Sequence, residues 1–227
     1  MPLSFDKQFS FDNYLSEQSD FIAASLKSVI RGEGENLVGL WGAADSGKTH
    51  LVNSCACFAR NEITSFQIYD GLLLAQCDPE FLQDLEGCEL LLIDNLDAIC
   101  GHRLWEQKFY QIINQCKQGD LSLIFTLSVN PGYLECVLDD FQSRLNWGLL
   151  LQLQSSDDRD IGRVLSYRAS LLGIDLTGDV VTYLLRHYSR RLSTQIEILR
   201  ILDLASLSAQ KKISVPLVKQ ALKGKQF

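Results

Sequence analysis

The chain has 227 residues, 46% of them hydrophobic and 22% charged, and its 21 basic and 28 acidic side chains leave a net charge of −7. That length buries a core without disulfide or metal staples, and the composition is that of a globular protein with one large domain or one plus a small one. An acidic chain with no basic block excludes a long unstructured nucleic-acid-binding arm, and no apolar run approaches the roughly 20 residues that cross a bilayer.

The first residues, MPLSFDKQFS, lack the basic-then-apolar order of a secretion signal, so the expected location is the cytoplasm. Residues up to about Asp12 read as an extended lead-in. SDFIAASLKSVIRG (19–32) predicts a helix with Phe21, Ala24, Leu26 and Val29 near helical spacing and a stop at Gly32. NLVGLW (36–41) predicts a strand, residues 47–60 a helix, and ITSFQIYD (63–70) a second strand. ELLLIDN (89–95) is apolar on consecutive positions, which marks a strand covered on both faces. Leu104, Trp105, Phe109, Ile112, Ile113 and Cys116 form one helical stripe. LSLIFTLS (121–128) and WGLLLQLQ (147–154) predict the fourth and fifth strands. Strands alternating with helices argue for βαβ units and a doubly wound parallel sheet. LLLA (72–75) and the leucine-rich fifth strand are assigned to the core.

After Gln154 strand-like segments stop. SSDDRDIGRVLSYRASLLG, TGDVVTYLLRHYS, RRLSTQIEILRILDLASLSAQ and SVPLVKQAL read as four helices. A boundary near residue 154 therefore separates an α/β domain (1–154) from a small all-helical domain (155–227).

The seven cysteines, Cys55, Cys57, Cys77, Cys88, Cys100, Cys116 and Cys136, are odd in number and contain no C-x-x-C pair. They read as reduced thiols used as small hydrophobes. His50, His102 and His187 are too scattered for a metal site.

GAADSGKT (42–49) fits G-x-x-x-x-G-K-[ST], with a strand before it and a helix after it, as the motif requires. Gly42 and Gly47 let the backbone curl so that the amides of Gly42, Ala43, Ala44, Asp45, Ser46 and Gly47 can point at phosphate oxygens, and the helix adds its positive end and His50. Lys48 supplies a point charge for the β- and γ-phosphates, and Thr49 a hydroxyl for Mg2+. Asp94, at the end of the third strand, is the expected Mg2+ partner, and Asp97 reads as a surface or capping residue. Asn95 follows where many P-loop ATPases carry a second acid that polarises the attacking water. The chain is thus expected to bind ADP or ATP with Mg2+ and to hydrolyse it feebly alone.

FSFDNYL (9–15), LWGAADSGKTHLVNS (40–54), LLLIDNLDAI (90–99) and FQSRLNWGLLLQLQ (141–154) resemble the AAA+ module of the bacterial replication initiator DnaA, in order through nearly the whole chain. The resemblance implies an AAA+ P-loop core with a doubly wound parallel five-stranded sheet, followed by a helical lid. No counterpart of the initiator's C-terminal helix-turn-helix follows, so no dedicated DNA-binding domain is expected. RLWEQKFYQIINQ (103–115) and ISVPLVKQALK (213–223) are similar to the free-standing regulatory branch of the family, the inactivators of DnaA. Such proteins, held on the DNA-loaded sliding clamp, dock on ATP-bound DnaA and make it hydrolyse its nucleotide. The resemblance then implies that Arg144 in SRLNWG is an arginine finger acting in trans, a planar permanent charge suited to a transferring phosphoryl group. It also implies head-to-tail packing, so a homo-oligomer is one expected arrangement.

Three positions depart from the family pattern. Ser193 stands where the lid's sensor arginine is usual, with Arg190 and Arg191 near it. Ser128 stands where an aspartate is usual after the fourth strand. A clamp-binding peptide beginning with glutamine survives at most as the tail in MPLSF, since QFSF (8–11) aligns with the start of the AAA+ fold. Two other functions fit the same residues. A helicase-loading or adaptor ATPase would need a partner-binding extension before Phe9. A P-loop small-molecule kinase would need an acceptor pocket and lid arginines, for which Arg159, Arg163 and Arg168 are candidates by composition.

Overall fold

In the computed structural model, residues 9–224 are described except 17, 64, 83, 84, 156 and 157. Five strands, β1 (Leu37–Trp41), β2 (Phe66–Asp70), β3 (Leu90–Asp94), β4 (Ser122–Leu127) and β5 (Leu149–Gln152), pair in parallel in the order β2-β3-β4-β1-β5. Successive side chains of a strand point to opposite faces, and here both faces are covered. Val38, Leu40, Leu90, Leu92 and Ile124 join one core with α1 (Ser19–Ile30) and α2 (Lys48–Glu62). Leu37, Leu91, Ile93, Leu123 and Phe125 join another with α3 (Gly71–Leu74), α4 (Arg103–Gln118) and α5 (Asp139–Leu145). This explains the unbroken apolar runs, since a strand packed on both sides has no solvent face to alternate with. The doubly wound parallel sheet expected from the sequence is present.

Chain contacts divide the molecule into residues 1–155 and 156–227. The second unit contains α6 (Asp158–Leu171), α7 (Gly178–His187), α8 (Leu192–Ala209) and α9 (Val215–Ala221), with no strand among its described residues. Val180, Leu184, Ile198, Leu202 and Val218 form its core, and Ile161, Leu165, Ala169 and Leu199 a smaller cluster. No helix among the described residues is long and apolar enough to cross a membrane.

Several local expectations are corrected. The buried stripe of α1 is Ile22, Leu26, Val29 and Ile30, while Phe21 and Ala24 are exposed. The other four residues of the α4 stripe and its Cys116 are buried, but Leu104 faces solvent. β2 starts at Phe66, three residues after Ile63. In LLLA, Leu74 alone is buried, and Leu72 and Leu73 are exposed on the short helix α3. β5 is an edge strand, so Leu149 and Leu150 are only half-buried. In each case the apolar count was right and the helix phase or sheet position was not recoverable from spacing.

One buried acid ties the second core together. Glu106, in the first turn of α4, is fully buried, and its carboxylate accepts backbone N–H bonds from Gly101 (2.7 Å), Val137 (3.0 Å) and Leu138 (2.7 Å). It thereby joins the turn after β3 to the segment entering α5. Buried donors left without an acceptor carry their full desolvation cost. Glu106→Ala is therefore expected to destabilise the larger unit by about 2–4 kcal/mol, read as a lowered urea midpoint with an unchanged slope.

Candidate functional site

The loop 42–47 joins β1 to α2, so the parallel sheet delivers it to the carboxyl ends of its strands, where open α/β sheets bind ligands. Gly47 has φ 90° and caps α2 in the left-handed region, and a Cβ there would lie 2.6 Å from the Tyr14 ring. Gly42 is required by close approach instead, since a Cβ would sit 2.5 Å from the Leu153 carbonyl oxygen. Asp45 is left-handed at φ 61° without being glycine, a conformation sustained only where the surroundings over-determine it. Ala43 and Ala44 are exposed on the loop, and Ser46 is buried.

Lys48 folds over this loop. Its Nζ donates to the carbonyls of Gly42 and Ala43, both at 2.6 Å, and to Ser46 Oγ at 3.5 Å. Burial pushes its pKa below the usual lysine value, opposed by the carboxylates of Asp94, Asp97 and Asp45. An ammonium held only by carbonyl and hydroxyl oxygens is a charge that phosphate oxygens can satisfy better.

Asp94 is buried, with 2% of its surface exposed. Its Oδ2 accepts from Thr49 Oγ1 and its Oδ1 from Thr126 Oγ1, both at 2.6 Å. The Asn95 backbone N–H donates to the same Thr126 hydroxyl at 2.8 Å. Thr49 and Asp94 thus come together, a hydroxyl and a carboxylate from two different elements. These are hard oxygen donors that fit Mg2+, and with two of them the remaining positions would go to water and phosphate oxygens. Among the described residues no cluster of three or more His, Cys, Asp or Glu could hold a metal by itself.

Asn95 is left-handed at φ 56°, and its amide donates to Asp70 Oδ1 at 3.0 Å. Asp70 Oδ1 also accepts from the Leu72 N–H at 3.0 Å, capping α3. The residue after the buried acid is therefore turned sideways along the strand ends toward β2. Asp97, read as a surface or capping residue, accepts from both the backbone N–H (3.1 Å) and the hydroxyl of Ser128. The polar position after β4 is thereby linked to the turn after β3.

His50 is turned to the lead-in. One ring nitrogen lies 2.9 Å from the Ser10 carbonyl, and the ring packs against Phe9 and Tyr14 at centroid distances of 5.2 and 6.2 Å. Phe11 is buried against Phe58, so the described part of QFSF belongs to the fold. MPLSF lies outside the described residues.

Arg144 occupies the last turn of α5, partly exposed. Nε donates to Asn114 Oδ1 (3.0 Å), Nη2 to the Tyr110 hydroxyl (2.7 Å) and Nη1 to the Asp140 carbonyl (3.3 Å). The guanidinium carbon lies 3.8 Å from the Tyr110 ring centroid and 4.6 Å from that of Trp147. None of these partners is charged, none belongs to the loop 42–49, and none of the ion pairs among the described residues includes Arg144. Among the described residues, three of its five N–H groups are engaged, which leaves two for an outside acceptor. In the helical unit, Ser193 is exposed at the start of α8, Arg190 pairs with Asp158 (3.3 Å), and Arg163 lies 3.8 Å from Asp160. Arg159 is exposed and Arg168 half-buried on α6, and Arg191 precedes α8 without a side-chain capping bond.

Thr126 and Asp70 went unread in the sequence. Thr126 left a signal, a lone hydroxyl inside the apolar run LIFTL of a strand buried on both faces. Removing it strands one carboxylate oxygen and one backbone N–H in the interior. Thr126→Val is expected to cost about 2–4 kcal/mol by urea unfolding and to loosen the Asp94 side chain that faces Thr49.

Comparison with known proteins fits this geometry. The family model described as "Hda, lid domain" matches residues 157–222. Domain III of the replication initiation protein DnaA from Thermotoga maritima superposes with a TM-score of 0.81 at 17% identity, covering 97% of this chain and 98% of that one. AMPPCP-bound DnaA from Aquifex aeolicus gives a TM-score of 0.76 at 18% identity, covering 90% of this chain and 68% of the other. The Thermotoga maritima RuvB Holliday junction branch migration motor gives 0.74 at 16% identity, covering 97% and 73%. The chain has the fold of the DnaA AAA+ module, and its residues 157–222 match the Hda lid-domain family.

Proposed function

We propose that this protein holds an adenine nucleotide as a structural ligand and lends Arg144 to ATP bound on the AAA+ domain of DnaA, which promotes hydrolysis there and restrains replication initiation. The carrying observation is the state of Arg144, a partly exposed guanidinium stacked on two aromatic rings which, among the described residues, hydrogen-bonds only to neutral groups and keeps two N–H groups to spare. A cation without a counterion among the described residues is suited to stabilise negative charge supplied by a partner. The match of residues 157–222 to the Hda lid supports the choice of DnaA as that partner.

The roles of the bound nucleotide follow from the other residues. Lys48, at the head of α2, would meet the phosphates with the loop amides, and Thr49 and Asp94 would hold Mg2+. Bound Mg2+ supplies charge neutralisation to the phosphates. Asn95 cannot act as a base, since an amide has no proton affinity near neutral pH, and its side chain is committed to Asp70. A ligand that binds only the folded chain stabilises it by mass action. Docking on a DNA-loaded sliding clamp belongs to the same proposal, by resemblance to Hda-type regulators. A clamp pull-down with and without residues 1–5 tests that part separately.

In a mixing assay, ADP-loaded protein is expected to accelerate ADP formation on DnaA–ATP, while alone it turns ATP over feebly. Arg144→Ala is expected to lose about tenfold or more of that stimulation, within the large range known for arginine fingers, while keeping ADP affinity. Brisk hydrolysis by the isolated protein, or full stimulation by Arg144→Ala, would overturn the reading. Phosphoryl transfer to a small acceptor would favour the kinase alternative, and stimulation confined to another replication ATPase would favour an adaptor or loader.

A further inference from the structure

The fold brings two of the seven cysteines together at a place that the nucleotide site does not use. Cys100 follows the turn Leu96–Ile99, and Cys136 lies between the turn Pro131–Tyr133 and α5. The residues directly after them, Gly101 and Val137, donate their backbone N–H groups to the same oxygen, Glu106 Oε1, at 2.7 and 3.0 Å. The two thiols lie near each other there, each the main influence on the other's protonation. Both pack against the core that contains Glu106's helix α4, and both remain partly accessible. Three of the remaining thiols, Cys55, Cys88 and Cys116, are buried, and burial raises the pKa of each, that of Cys116 to about 12. Inert packing describes those three, but not the pair.

The two members of the pair are not equivalent. The Cys100 thiol lowers the pKa of Cys136, against burial and the Glu106 carboxylate, and Cys136 in turn raises that of Cys100. Cys136 is therefore the better nucleophile and Cys100 the resolving partner, since the thiolate is the reacting species.

We propose that Cys100 and Cys136 form a reversible disulfide site that takes a hydroperoxide as its oxidant. In the first step the Cys136 thiolate attacks one peroxide oxygen and the O–O bond breaks. This gives a Cys136 sulfenic acid and, after protonation, one water when the oxidant is hydrogen peroxide. In the second step the Cys100 sulfur attacks the Cys136 sulfur and expels hydroxide, which takes the Cys100 proton and leaves as a second water. The two thiols lose two electrons and two protons to one peroxide, and a dithiol reductant reverses the change by exchange. The bond ties the turn after β3, which follows Asp94, Asn95 and Asp97, to the segment that enters α5 and Arg144. Glu106 already holds those two segments side by side, so closure draws on a preformed approach.

The test uses the full chain, reduced, freed of reductant, and titrated with hydrogen peroxide under native conditions. Alkylation in denaturant followed by mass spectrometry is expected to show two of the seven thiols protected, a peptide joining Cys100 to Cys136, and return of both thiols with dithiothreitol. In Cys100→Ser, Cys136 is expected to accumulate a sulfenic acid that dimedone traps. At the same peroxide dose, Cys136→Ser is expected to leave Cys100 unmodified. Peptide mapping of the unsubstituted chain decides the matter even if either variant folds poorly. Both thiols staying free, oxidation of Cys136 straight to sulfinic acid without a cross-link, or a bridge between other cysteines would each overturn the proposal. None of these readouts depends on nucleotide or on DnaA.

Discussion

A carboxylate at the buried end of a parallel strand is tolerated only if donors meet its oxygens, and in this protein two threonine hydroxyls do so. Thr126 reaches Asp94 from the neighbouring strand and Thr49 from the first turn of α2. Because Thr49 is the second residue of that helix, the same contact sets where α2 begins and therefore how the loop 42–47 curls. Because Thr126 also accepts the Asn95 N–H, it steers the backbone as it leaves β3. One buried charge thus couples two strands, a helix start and a turn. Its desolvation cost makes their relative positions stringent, since a shift of any of them would leave an ionised group without partners.

Around that charge the strand ends are laced sideways. Asn95 spends its amide on Asp70, and Asp97 takes both donors of Ser128. A second acid at position 95 would face the Asp70 carboxylate at close range, a like-charge contact that the amide avoids. An amide at position 95 therefore has a structural reason in this chain. The site keeps the groups that suit phosphates and Mg2+, and it uses the next residue for architecture.

Arg144 is the counterpart of this arrangement in another part of the same unit. Its charge is met by π-faces and neutral oxygens rather than by a carboxylate, so its electrostatic capacity is oriented but not neutralised. Glu106, one helical turn before Tyr110 on α4, holds the segment that leads into α5. Through Tyr110 and Asn114, α4 also carries two of the side chains that hold the guanidinium. The orientation of one partly exposed cation thus rests on a helix anchored by a fully buried acid.

By itself the sequence determined the elements whose spacing obeys local rules. G-x-x-x-x-G-K-[ST] between a strand and a helix is legible because phosphate binding through backbone amides requires glycines at fixed offsets. LLLID is legible because a strand covered on both faces has no polar alternation. What spacing could not supply was phase and partnership. Phe21 and Ala24 belong to the exposed side of α1, Leu72 and Leu73 face solvent, and β5 lies at the sheet edge, all because burial depends on what packs alongside. Thr126, Asp70 and Ser128 acquire roles only when parallel pairing sets their strand ends beside Asp94, Asn95 and Asp97. Cys100 and Cys136 become a pair only when Glu106 collects the amides that follow them. Periodicity and motif report forces that act within a few residues, whereas hydrogen bonds between distant segments exist only after the chain has closed on itself, and those were decided by the tertiary structure alone.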